Sequence, residues 1–157
     1  MKRVEMNDPA AILHKGVMID KEGDHRGALD YYTKALELGH VEVHYHLARL
    51  YHEGHGVEKD IEKFVHHTEE AAIGGHPKAR FNLACYEYTN GNIEKAVKHW
   101  LIAVKQGFDD AIMWVYSAFY RGFVSKQDLD SALCAHRVAV DASKSLQREA
   151  ADEYYRT

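Results

Sequence analysis

Proline and cysteine are both scarce, with two of each in 157 residues. Without a Pro-, Gly- or Ser-rich stretch between halves, nothing in the chain reads as a linker. Cys85 and Cys134 lie far apart and outside any CxxC spacing. That excludes a disulfide framework and a thiolate zinc or redox site. Both are expected as partly buried core thiols, in keeping with a reducing compartment. Nowhere do 18 apolar residues run together, and the N-terminal MKRVEMNDPAAIL has no apolar stretch of signal-peptide kind. No membrane partner is expected, and an intracellular, cytoplasmic location is. The net charge is -4, with Lys, Arg, Asp and Glu intermixed and no basic block. Nucleic acid, which binds through clustered positive charge, is therefore disfavoured.

Catalytic signatures are missing too. The serines stand in no GxSxG or SxxK, and no HExxH occurs. The adjacent carboxylates Glu69–Glu70 and Asp109–Asp110 diverge on a helix and read as solvated faces or caps. No catalytic residue, metal ligand or cofactor is assigned, and the chain is not expected to be an enzyme.

What the chain does have is 46% hydrophobic and 28% charged residues, enough to fold one domain over 1–157 around a sizeable core. It also repeats itself. GVMIDKEGDHRGALDYYTKALELGH (16–40) lies over ACYEYTNGNIEKAVKHWLIAVKQGF (84–108) at an offset of 68, pairing Gly23 with Gly91, Ala28 with Ala96 and Tyr32 with Trp100. The segments 41–71 and 109–139 align at the same offset, as do Pro9 and Pro77. Gly39, Gly75, Gly107 and Ser143 stand 36, 32 and 36 residues apart, which marks four units of alternating length.

Each unit reads as two helices. Val43, Leu47, Leu50 and Tyr51 give the i, i+4, i+7, i+8 stripe of an amphipathic helix, and Gly54 ends it. Pro9 and Pro77 suit a first helical position, and Asp8, Asp60 and Asn92 are candidate N-caps. Gly39, Gly75 and Gly107 suit the left-handed residue past a helix end.

The second unit carries Val43, Leu47, Ala48, Tyr51, Gly54, Gly56, Val57, Asp60, Lys63, Ala71, Ala72 and Gly75 at the spacing A-x-x-x-L-G/A-x-x-Y-x-x-G-x-G-V-x-x-D-x-x-K-A, then aromatic-x-x-A-A-x-x-G. In this it resembles the Sel1-like repeat family, relatives of the tetratricopeptide repeats. Phe64 and Thr68 depart from the pattern, as do Lys15 in the first unit and Tyr116 in the fourth. The resemblance implies an all-α, right-handed α/α solenoid of four helix pairs at about 8–40, 41–76, 77–108 and 109–145, closed by a capping helix over 146–157. It makes GHGVEKD a turn between paired helices, with Val57 anchored on the core and Asp60 capping the next helix. A phosphate-binding loop would need a preceding strand and a GK[ST] or third glycine.

The resemblance also implies a scaffold or adaptor, acting as a monomer, that holds a protein or peptide in a concave groove. By register the groove residues are Glu42, Arg49 and His52 in the second unit, Lys78 and Tyr88 in the third, and Tyr120 and Arg121 in the fourth. Exposed residues of this kind are expected to bind without supporting the fold.

Two rival readings remain. One is a metal-binding protein: His40, His44, His46, His52, His55, His66, His67 and His76 fall within 37 residues, and converging imidazoles bind zinc, copper or nickel. The other is an enzyme whose site forms only in the fold.

Overall fold

A computed structural model of the chain describes residues 8–156, apart from the Tyr155 side chain. Residues 1–7, and Thr157 at the end of the expected capping segment, lie outside the described residues. Among the described residues the regular structure is entirely helical: α1 Pro9–Lys21, α2 His25–Glu37, α3 Val43–Glu53, α4 Ile61–Ile73, α5 Pro77–Thr89, α6 Ile93–Lys105, α7 Ile112–Tyr120 and α8 Lys126–Arg156. A single 3-10 turn, Asp109–Ala111, leads into α7. These elements form two compact units, 1–79 and 80–157, whose boundary falls within α5.

In the first unit the starts of α1, α2 and α4 are set by short acidic side chains. Asp8 accepts a hydrogen bond from the Ala10 amide at 3.0 Å, with Pro9 at the first helical position. Asp24 caps α2 through the Gly27 amide at 2.8 Å, and Asp60 caps α4 through the Lys63 amide at 3.0 Å. Each satisfies a donor that the helix leaves orphaned. The pairs α1–α2 and α3–α4 pack face to face, and α2 packs on α3. Ile12, Leu13, Ala28, Tyr32, Ala35, Val43, Leu47 and Leu50 form one buried cluster, with Val57 packed against it. Tyr32 demands room: a Cβ on Gly16 would lie 2.9 Å from its Cε1.

The GHG stretch is a turn with two separate requirements. Gly54 ends α3 in the left-handed conformation at φ 74°. Gly56, at φ 71°, lies against the start of α2, where a Cβ would fall 2.7 Å from the Arg26 amide nitrogen and 2.8 Å from the His25 carbonyl carbon. A side chain there would meet both an unfavourable φ and fixed backbone. The spacing thus docks the turn onto the preceding helix pair.

In the second unit Ala84, Ala96, Val97, Trp100, Ala103, Val104, Ala111, Val115, Ala118, Val124, Leu129 and Ala132 make the core. Trp100 and Ala96 occupy the places of Tyr32 and Ala28. Asn92 precedes α6 but makes no capping bond; its side-chain amide donates to Glu87 at 2.6 Å instead. The last helix begins on a reciprocal pair, the Asp128 amide donating to Ser125 Oγ and the Ser125 hydroxyl donating to the Asp128 carboxylate.

The segment expected as a separate capping helix over 146–157 is continuous with the second helix of the fourth unit. α8 runs for 31 residues, about 46 Å at the usual rise. The physical reason is local. Ser143 stands where Gly39, Gly75 and Gly107 turn the chain at φ 82°, 88° and 88°, and no glycine or proline follows it. Serine carries a Cβ that disfavours the left-handed turn, so the helix continues. The side chains of 141–154 are exposed. One cysteine also differs from expectation: Cys85 is half-buried as expected, but Cys134 is exposed on α8.

Candidate interaction site

The residues expected to bind a partner lie on or at the ends of α3, α5 and α7, and they differ sharply in what they touch. Arg49 projects from the middle of α3. Its guanidinium pairs with Asp20 through Nη2 and with Glu53 Oε2 through Nη1 at 2.9 Å. Asp20, 8% exposed, comes from the last turn of α1. It also meets His25 Nδ1 at 2.6 Å and accepts from the Tyr32 hydroxyl at 3.1 Å. Burial alone pushes the Asp20 carboxyl up. The His25 hydrogen bond, the Arg49 charge and the Tyr32 hydroxyl outweigh it and hold the group below the usual carboxylate value. Burial, followed by the Asp20 charge, raises the Tyr32 phenol. The array extends outward, with His55 Nδ1 3.0 Å from Glu53 and the His25 and His55 rings stacked at 4.6 Å.

Arg49 is therefore a structural cation. The expectation that its replacement leaves the fold untouched is corrected, because removing it takes the arginine cation from a buried carboxylate and leaves it only His25 and the Tyr32 hydroxyl. Asp20 was not picked out from the sequence, yet a signal exists. It follows Leu13 and Gly16 by seven and four residues, on the apolar stripe of α1. A carboxylate on that stripe has to find a donor inside.

The remaining first-unit candidates are exposed. Glu42 precedes α3, and His52 lies with its ring 4.7 Å from Phe64. Lys78 stands 5.8 Å over the Tyr45 ring, which itself stacks on His76 at 4.3 Å.

Several of the clustered histidines meet one another and neighbouring aromatic rings. His40 precedes α3 and so shares no helix face with His44. His44 Nδ1 lies 2.8 Å from His67 Nδ1, and the Tyr51 and His67 rings stack at 5.7 Å. Burial, then the positive potential of His44, His66 and Lys63, pushes His67 down to about 4. Burial likewise lowers His44, His46 and His76. Among the described residues no three His, Cys, Asp or Glu side chains converge where they could hold a metal ion.

The second unit presents aromatic rings at the corresponding places. Trp100 and Trp114 stack at 4.8 Å, and the Tyr88 ring meets Trp114 edge-on at 5.6 Å. Tyr88 is half-buried and Tyr120 is 82% exposed, so neither is enclosed in the core. Arg121 directs Nη1 toward the Tyr88 hydroxyl at 3.4 Å and lies over the Phe123 ring at 5.3 Å. Neither neighbour is a carboxylate.

Comparison with known proteins places these helices in a family. The Sel1 repeat model matches residues 10–40, 41–76 and 77–108, more than half of the chain. The chain belongs to the Sel1 repeat family. Among solved structures, a Sel1 repeat protein from Oxalobacter formigenes is similar at a TM-score of 0.68 and 22% identity, over 87% of this chain and 59% of that one. The protective antigen c5321 of uropathogenic Escherichia coli, which displays an SLR fold, is similar at a TM-score of 0.69 and 26% identity, over 90% of this chain and 32% of that one. The chain thus spans less than two thirds of either relative. No curated protein matches it. The fold is that of Sel1 helical repeats, and no helix among the described residues is long and apolar enough to cross a membrane.

Proposed function

We propose that this Sel1 repeat chain is a non-catalytic docking module that binds a protein or peptide segment on the first helices of its repeats. In the first unit the surface comprises Glu42, Arg49, His52 and Lys78, with Arg49 held in place by Asp20. In the second it comprises Tyr88, Tyr120 and Arg121. The observation that carries this reading is the exposed apolar face of α7, where Met113 is 75% and Tyr120 82% exposed. Large apolar side chains exposed on one helix face mark interaction surfaces, and tyrosine and arginine are favoured anchors there. Sel1 repeats typically mediate protein–protein interaction, which agrees with this assignment. The test is affinity capture with the intact chain against a Tyr120→Ala, Arg121→Ala double variant. A partner retained by the first and lost by the second is expected. Identical capture by both contradicts the surface.

A further inference from the structure

The geometry points to a linear peptide carrying an acidic side chain next to a large apolar one as the ligand of the α7 face. This rests on the docking reading above and names its chemistry. Met113, Ser117 and Tyr120 are spaced i, i+4, i+7 and so share one face of α7. All three are exposed. Serine is small, so the two large side chains flank a notch, with Met113 and Tyr120 about 10 Å apart along the helix. An apolar side chain seated over Ser117 touches both.

Arg121 supplies the polar half. At the offset of 68 it replaces Glu53, Ser117 replaces Arg49, and Tyr88 replaces Asp20. In the first unit Arg49 lies between two carboxylates of its own chain. In the second the arginine itself stands at one of those two acid places, and Tyr88 stands at the other. Its contacts are the Tyr88 hydroxyl and the Phe123 ring, which orient the guanidinium, and neither supplies a negative charge. A planar fork held in this way fits a carboxylate. The opposite end of the face carries exposed Asp110, which repels an anionic membrane. The charge order thus favours a peptide that places its acid at the Arg121 end.

The test is selection of random displayed dodecapeptides on the intact chain, followed by affinity measurement of the enriched peptide. Enriched sequences should pair an acidic residue with an aromatic or long aliphatic residue within about four positions, roughly the span of the face. Changing that acid to its amide should weaken binding about tenfold to the native chain, the usual order for one charge-assisted anchor. The same change should have no effect on Arg121→Gln, whose folding is checked by circular dichroism. Enrichment without an acidic preference, or an amide penalty unchanged in Arg121→Gln, overturns this inference and leaves the docking reading standing. Failure to enrich any peptide removes both. A two-chain mass in solution that Tyr120→Glu halves would make the occupant a second copy, and would overturn it too.

Discussion

The two units solve one packing problem with different chemistry. At equivalent places the first stacks Tyr32 on His46 at 5.1 Å, and the second stacks Trp100 on Trp114 at 4.8 Å, both at 24° between planes. Around that stack the first unit builds a charged array on Asp20, whereas the second sets Tyr88 in the same position. The lesson is that the two units share ring geometry and small helix contacts while the surrounding polar positions differ. In the first unit the charges of this region support one another internally. In the second, Arg121 faces solvent.

The sharpest way to break the comparison is at the shared contacts. Ala28 and Ala96 are both fully buried. Ala28→Asp and Ala96→Asp should each cost about 4 kcal/mol or prevent folding, because the new carboxylate is buried without a donor. A melt within a degree or two of the native chain at either site would show the register to be misplaced. Next comes the buried acid. Asp20→Ala should cost about 3 kcal/mol in urea unfolding by leaving the partly buried Arg49 without its main partner. Gly56→Ala should cost about 2 kcal/mol, from its left-handed φ and the close backbone at residues 25 and 26. The second unit has Val124 at that position, so the turn there carries no such constraint.

A gentler distinction appears in acid. Burial lowers four histidines of the first unit, His44, His46, His67 and His76, but in the second unit His99 alone among the described residues. A histidine whose folded value is depressed stabilises the fold fully above its unfolded value of about 6.5. That contribution is lost as pH falls toward about 4, the value reached by His67, since the unfolded chain then binds more protons. Both tryptophans lie in the second unit. Helical circular dichroism should therefore decline at higher pH than the tryptophan emission changes, and His67→Gln should narrow the gap. Coincident transitions that His67→Gln leaves unmoved would contradict it.

Much of this architecture was legible in the residues. The offset of 68, the helix stripes, the Asp8 and Asp60 caps and the helix-ending Gly39, Gly54, Gly75 and Gly107 all follow from local rules that tertiary context did not override. The polar array was not legible, because Asp20, Tyr32 and Arg49 come from three helices and meet through packing that periodicity does not describe. Arg49 and Arg121 looked alike in the sequence, as cations at neighbouring register positions. Only their surroundings separate them, a buried carboxylate for one and a phenol for the other. The fused α8 could have been read from Ser143, whose side chain breaks the glycine series.

That separation between the two arginines is the central claim, and equilibrium urea unfolding of Arg49→Gln beside Arg121→Gln tests it most directly. Arg49→Gln should lose about 2 kcal/mol, since it leaves the buried Asp20 carboxylate without a cation. Arg121→Gln should stay within about 0.5 kcal/mol of the native chain, as exposed positions do. Equal losses, or a larger loss for Arg121→Gln, would contradict the account.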